Sequence, residues 1–384
     1  MKILFVVNNY YASGNGLSAS ARRTVSYLRE AGEDVRVLSG RNHESETPQP
    51  DYVLKDFHVP VFDGLVESNG YKFAHADIAV IEEAVEWADV VHLEEPFILQ
   101  MVTAHIARRH GIPCTGTYHL HPENLFCSIN LGDWKFLNYN TLRMWRDFVF
   151  NYCTDIQCPT ENVLERLQKF GFKSRLHLIS NGIVPDPSIR PREAGRDPDA
   201  PFLVVCIGRL SVEKDQPTLL EAMKYSKYAR RIQLFFAGRG PEADAIKSRA
   251  HALYEEGVVA YDPIFEFKDR DGLRQLAARA DLYIHCATVE VEGLSALEAL
   301  QQAVVPIIAE GELTATSQFA LDHRSLFPTG DPQALAGCID YWLDHPEERQ
   351  EMGWKYAESA EGYDIHKSIA SLIAMFRQAA GGAA

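Results

Sequence analysis

Short apolar runs rich in β-branched residues alternate with longer segments of helical period along most of the chain, and this alternation limits the fold more than any other feature. In the first half the runs predict strands at Lys2–Asn8, Asp34–Leu38, Val90–Leu93, Pro113–Thr117, Asp155–Cys158 and Leu176–Ile179. Helices between them include Ser18–Ala31, Pro96–His110, Tyr139–Tyr152 and Glu161–Phe170. Five prolines then fall between Val184 and Pro201, a density that neither a helix nor a central strand tolerates. After this joint the alternation restarts, with strands expected at Phe202–Ile207, Gln233–Phe236, Val258–Tyr261, Leu282–His285 and Val304–Ile308. The helices of this half are Gln216–Tyr225, Glu242–Glu255, Gly272–Ala280, Leu294–Gln302 and Pro332–Leu343, and the last 40 residues read as helix alone.

Continuous runs such as Phe202-Leu203-Val204-Val205-Cys206-Ile207 fit strands buried on both faces, hence parallel sheets. The expected fold is α/β, two Rossmann-like domains facing across a cleft. The boundaries are 1–183, 184–360 and a terminal helix at 361–384 that crosses back to the first domain. Ligands of such sheets bind beyond the carboxyl ends of the strands, so the loops after strands are where chemistry belongs.

Composition removes several function classes. The net charge of −15 disfavours tracking a nucleic-acid backbone, which needs clustered cations. No apolar run approaches the roughly 18 residues of a membrane span. The run Ile3–Val7 is too short for a signal sequence. Seven scattered cysteines without a CxxC pair read as reduced thiols in a cytoplasmic protein.

Four loops carry candidate chemistry. Ser13-Gly14-Asn15-Gly16 follows the first strand and reads either as a flexible turn or as a loop whose amides approach a phosphate or sugar. Gly14, Gly16 and Ala19 formally match a dinucleotide fingerprint, but the first glycine comes six residues late and strand two ends Leu38-Ser39-Gly40, with no acid. Gly208-Arg209-Leu210-Ser211-Val212-Glu213-Lys214 opens the second half; its two cations suit a diphosphate or are merely solvated. Glu290-Val291-Glu292-Gly293-Leu294-Ser295 leads into a helix holding Glu298, placing acids where sugar or ribose hydroxyls could be held, or simply near a positive helix end. His119-Leu120-His121-Pro122-Glu123-Asn124 follows another strand; His121 and Glu123 are acceptor contacts or loop structure with equal weight. A metal reading of His119, His121 and Glu123 lacks a further ligand cluster. Of the two Asp-x-Asp pairs, neither follows an expected strand: Asp197–Asp199 lies in the proline-rich joint and Asp269–Asp271 reads as a helix cap.

In this order and spacing, the glycine loop, Gly-Arg-Leu-x-x-x-Lys and the pair Glu290/Glu298 around Gly293-Leu294 resemble the retaining GT-B glycosyltransferases of family 4, also called group 1. Ser180-Asn181-Gly182-Ile183 and Ala237-Gly238-Arg239-Gly240-Pro241 agree, and the His-Pro-Glu-Asn segment is similar to bacterial lipid and polysaccharide enzymes of the family. The resemblance implies Arg209 and Lys214 at the donor diphosphate, Glu290 at donor-sugar hydroxyls, Glu298 at the ribose and His119 facing the donor sugar. It further implies Gly14, Asn15, Gly16, Gly293, Leu294 and Ser295 as nucleotide-sugar contacts. Glu292 departs from the family, which usually has an aromatic residue there.

The implied activity is retaining hexosyl transfer from a nucleoside-diphosphate sugar, with UDP favoured, to a hydroxyl of a glycan, glycolipid or small molecule, needing neither cofactor nor essential metal. A GT-B-like binding subunit without turnover is the alternative. The stretch Asp133–Val149, aromatic with interspersed cations, leaves open a peripheral contact with the inner face of a membrane, although residues 1–185 still carry −5.

Overall fold

The computed structural model describes residues 1–13, 15–58, 71–186 and 200–381. Gly14, the Asp197–Asp199 pair and most of the proline-rich joint lie outside them. The chain divides into two compact units, the first made of 1–126, 131–181 and 366–384, the second of 127–130 and 182–365.

In the first unit the strands are β1 (Lys2–Val6), β2 (Asp34–Gly40), β3 (Tyr52–Leu54), β4 (Asp56–Phe57), β5 (Phe73–Ala74), β6 (Val90–Leu93), β7 (Cys114–Thr117), β8 (Cys153–Cys158) and β9 (Arg175–Leu178). Seven of them form one parallel sheet in the order β3-β2-β1-β6-β7-β8-β9, and β4 pairs antiparallel with β5. Every residue of β6 and β7 is buried, as expected of strands covered by helices on both faces. The helices are α1 (Gly16–Glu30), α2 (Ile78–Trp87), α3 (Ile98–His110), α4 (Pro122–Cys127), α5 (Lys135–Phe148) and α6 (Glu161–Lys169).

The second unit holds β10 (Phe202–Ile207), β11 (Ile232–Ala237), β12 (Ile264–Glu266), β13 (Leu282–His285), β14 (Val305–Glu310) and β15 (Leu326–Pro328). All are parallel, in the order β12-β11-β10-β13-β14-β15. Its helices are α7 (Gln216–Ala222), α8 (Ala243–Glu255), α9 (Arg270–Arg279), α10 (Leu294–Leu300), α11 (Pro332–Asp344) and α12 (Pro346–Ala360). The last helix, α13 (Ile365–Gly381), belongs to the first unit from His366 onward, where the Phe376 ring packs 5.0 Å from His92.

Three expectations need correction. Val258–Tyr261 is not a strand; the third edge strand is β12 at Ile264–Glu266. The amides of Val258 and Val259 close back on the Leu253 carbonyl, so this apolar pair finishes α8, with Val259 in the core. The helix expected at Tyr139–Tyr152 starts four residues earlier and ends at Phe148. Asp269 does follow a strand, three residues after β12, yet its Oδ1 accepts from the Gly272 amide at 2.8 Å and caps α9.

Both sheets reverse direction once. The chain runs outward from β1 to β3 and returns to β6 on the other side of β1; from β10 it runs to β12 and returns to β13. At such a switch point the two flanking loops diverge, leaving a crevice at the carboxyl ends of the strands. The loops after β1 and β6 flank one, and those after β10 and β13 the other.

Candidate active site

In the second unit the loop after β10 is locked to its neighbours. Gly208 N–H donates to Ala237 O at 3.1 Å and Leu210 N–H to Arg239 O at 2.9 Å. A Cβ on Gly238 would stand 1.9 Å from the Gly208 carbonyl oxygen, so only glycine permits this approach. The next residues wind into a short 3-10 turn, Val212–Lys214, and the Thr288 amide donates to the Glu213 carbonyl at 2.9 Å, tying the loop after β13 to the loop after β10.

This frame places the two sequence-predicted cations. Arg209 donates through Nη2 to Glu213 Oε1 at 2.7 Å, and Ser211 Oγ donates to the same oxygen at 2.7 Å. Burial works upward on the Glu213 carboxyl, and Arg209 with Ser211 outweighs it, so the acid stays below its ordinary range. Lys214 pairs with Glu290 Oε2 across the switch point. Here too burial pushes the carboxyl up, but the Lys214 ammonium and His285 hold Glu290 well below the usual carboxylate range.

His285, the last residue of β13, has Nε2 3.4 Å from Glu290 Oε2 and Nδ1 3.1 Å from the Tyr283 hydroxyl. Burial lowers its pKa, favouring the neutral ring. Both neighbours of the Glu290 carboxylate thus lie on Oε2, and a carboxylate can accept on either oxygen. The Glu290 backbone is fixed as well, its N–H donating to Leu313 O at 2.8 Å and its carbonyl accepting from Ala315 N–H at 3.1 Å.

Gly293 turns the chain into α10 with φ +81°, and a Cβ there would stand 2.4 Å from Thr316 Oγ1. Leu294 and Ser295 follow as the first helical residues, and the Ser295 hydroxyl lies 3.1 Å from that of Tyr283. Glu298 sits 3.7 Å from Arg270, which opens α9. Glu292 is buried, and its carbonyl accepts from Thr316 Oγ1 at 3.4 Å.

In the first unit Asn15 caps α1, its Oδ1 accepting from the Leu17 and Ser18 amides at 3.0 and 3.1 Å; Gly16 is the first helical residue. Arg22 fixes the preceding loop by donating to the Tyr10 and Ala12 carbonyls at 2.6 and 3.1 Å. Ser39 occupies the place where a dinucleotide fold keeps an acid; its hydroxyl donates to Asn8 O at 3.2 Å and accepts from Tyr10 N–H at 3.0 Å.

His119, just beyond β7, has Nε2 3.0 Å from Glu94 Oε2. Arg166 of α6 reaches His121 Nδ1 at 3.2 Å and clamps Glu123, which lies in α4, through two bonds of 2.8 and 3.0 Å, a structural tie for both side chains. Among the described residues no group of three or more His, Cys, Asp or Glu is placed to hold a metal ion, and no helix is long and apolar enough to cross a membrane.

The structure therefore gathers Arg209, Lys214, Glu290 and the Gly293–Ser295 turn at one switch point, with Glu298 further along α10. Sequence reasoning missed Glu213, His285 and Glu94, the partners of three predicted residues. Only Glu213 left a signal, four residues after Arg209 and between the two cations.

Comparison with known proteins identifies the family and the fold. Residues 14–187 match the family model described as Glycosyltransferase Family 4, and residues 190–358 match Glycosyl transferases group 1. The alpha-monoglucosyldiacylglycerol synthase of Streptococcus pneumoniae is 24% identical over 325 residues, 81% of this chain and 71% of that protein. The GDP-mannose-dependent alpha-mannosyltransferase of Corynebacterium glutamicum is 22% identical over 319 residues, 80% of this chain and 72% of the other. Among solved structures, Anabaena HepE in complex with UDP and glucose shares the fold with a TM-score of 0.72 at 15% identity, covering 98% of this chain and all of that one. With its two halves matched in turn by the two family models, the chain belongs to the family 4, group 1 glycosyltransferases and has their GT-B fold of two parallel-sheet α/β units.

Proposed function

We propose that this glycosyltransferase moves a hexose from a UDP-sugar to an acceptor hydroxyl of a glycan, glycolipid or small molecule, with retention at the anomeric carbon. One observation carries the reading: Arg209, Lys214 and Glu290 converge on one switch point, two cations beside an ionised carboxylate. An ammonium has three donors, so Lys214 can keep Glu290 and still meet a phosphate oxygen, and a guanidinium has five. Glu290 Oε1, opposite the oxygen held by Lys214 and His285, is the atom assigned to a donor-sugar hydroxyl.

In the reaction the bond between the anomeric carbon and the β-phosphate oxygen breaks while the acceptor oxygen bonds on the same face. The acceptor proton passes to the departing phosphate, whose growing charge Arg209 and Lys214 stabilise. UDP is favoured by the HepE complex with UDP and glucose, whereas the corynebacterial relative is named for GDP-mannose. A lipid acceptor is favoured by the streptococcal relative's name.

A thermal-shift panel of UDP, GDP and ADP tests the base, because a ligand bound only by the native state raises the melting temperature by mass action. UDP should give the largest shift; a larger shift with GDP would reassign the donor. Proton NMR of the first-formed product, read at the anomeric signal, tests retention, and an inverted configuration would overturn it.

A further inference from the structure

Glu94 directly follows β6, and its N–H continues the sheet by donating to Val6 O at 3.1 Å, so it stands at the switch point of the first sheet. Its side chain is buried between two imidazoles, Oε2 3.0 Å from His119 Nε2 and Oε1 3.1 Å from His92 Nε2. The state of His92 is set by its surroundings. Gln157 donates through Nε2 to Ile179 O at 3.0 Å, which turns its Oε1 toward Thr117, and the Thr117 hydroxyl donates to that oxygen at 2.8 Å. Having spent its hydrogen, Thr117 Oγ1 can only accept from His92 Nε2, 3.0 Å away, so Nε2 carries a hydrogen; Nδ1 lies 2.9 Å from Thr115 Oγ1, whose hydroxyl also reaches Val91 O at 3.4 Å.

An ionised carboxylate only accepts, so His119 must also present a hydrogen on Nε2. The ionised state fits the surroundings: burial works to raise the Glu94 pKa, but the hydrogen bonds from His119 and His92 work to lower it. Adjacent Glu95 is driven the other way, to about 7, by burial. Neighbouring acids shifted in opposite directions are a mark of distinct roles.

We propose that Glu94 is a positioning residue for His119, fixing the ring plane and the Nε2–H tautomer, with Nδ1 as the ring's accepting atom. This rests on the reading of His119 as the residue that faces the donor sugar. The substitution Glu94→Gln isolates the effect at nearly constant volume. His92 still offers a hydrogen, so the new amide oxygen must turn toward it. The amide NH2 then faces His119, which has to adopt the opposite tautomer, with its hydrogen on Nδ1.

Nitrogen-15 NMR of histidine-labelled, ligand-free full chain reads this directly, with His119→Ala used to assign the signal. The expected result is Nε2–H in the wild type and Nδ1–H in Glu94→Gln. Turnover of UDP-sugar should fall roughly tenfold or more, as when a catalytic histidine is held in the wrong tautomer, at similar UDP affinity. Glu94→Asp, which restores a carboxylate, should keep the wild-type tautomer and recover part of the rate. In a His119→Ala background Glu94→Gln should cost nothing further, because residues that act through one another are not additive.

An unchanged tautomer in Glu94→Gln, or the same fold-loss in the His119→Ala background, would overturn the proposal. Full turnover in His119→Ala alone would remove the donor-facing reading and with it the catalytic consequence, even where the tautomer follows Glu94. If Glu94→Gln does not fold, the Glu94→Asp spectrum and rate decide: loss of the Nε2–H signal or no change in rate would count against it.

Discussion

In the proposed reaction Arg209 and Lys214 stabilise the leaving diphosphate; each is a cation paired with an acid at the switch point of the second sheet. Replacing either by Ala should cost about 3–4 kcal/mol of transition-state stabilisation, roughly 10²–10³ in kcat, because leaving-group charge grows as the bond breaks. Glu298→Ala should chiefly raise the donor KM, a ribose contact being similar in ground and transition states; steady-state kinetics separates the two patterns. Glu95 offers a prediction about stability. Its carboxyl accepts from the Asn8 amide at 3.0 Å, from the Tyr71 hydroxyl at 2.6 Å and from Gln100. Burial still raises it to about 7, against these bonds. A raised folded-state pKa means that stability is lost as pH climbs from the unfolded value of 4.5 toward 7. Glu95→Gln removes this penalty, since the Tyr71 hydroxyl can reverse to accept from the new amide. Relative to wild type the variant should gain nothing below about pH 4.5 and up to about 3 kcal/mol above pH 7, measured by urea unfolding across that range.

At the scale of elements, the turns that start helices set the site. Asn15 supplies the cap of α1 through two amides, so Asn15→Ala should destabilise by about 1 kcal/mol and Asn15→Asp by much less, as denaturant midpoints would report. Gly293 lies at φ +81° with no room for a Cβ against Thr316. Gly293→Ala should cost at least about 1–2 kcal/mol of backbone strain and, by displacing the start of α10, weaken nucleotide binding measured calorimetrically. These elements also show what the sequence could convey. Phe202–Ile207 and Leu282–His285 were legible to the residue because a buried parallel strand is a continuous apolar run. Val258-Val259-Ala260-Tyr261 has the same local character but closes a helix, a distinction made by the Leu253 carbonyl and not by the run itself. The six-residue α4 was hidden in a Pro-Glu-Asn segment that reads as loop, and three-residue β15, ending in Pro328, is too short to have a period.

For the whole molecule, two parallel sheets with one reversal each explain why the candidate residues could be found from their distance past a strand end: Arg209 two residues after β10, Glu290 five after β13, His119 two after β7. Which of them pair could not be found that way. Glu94 lies 25 residues from His119, and Lys214 lies 76 from Glu290, so only the folded sheet order reveals the pairs. In the proposed function, side-chain cations hold the leaving diphosphate of a sugar donor. The measurement that tests it most directly is the rate of UDP release from a panel of UDP-hexoses by the purified full chain, with and without EDTA, beside Arg209→Ala and Lys214→Ala. Turnover that persists in EDTA and falls roughly 10²–10³ in each folded variant is the predicted result. Turnover abolished by EDTA and restored by Mg²⁺ or Mn²⁺, or near-native kcat in both variants, would contradict it.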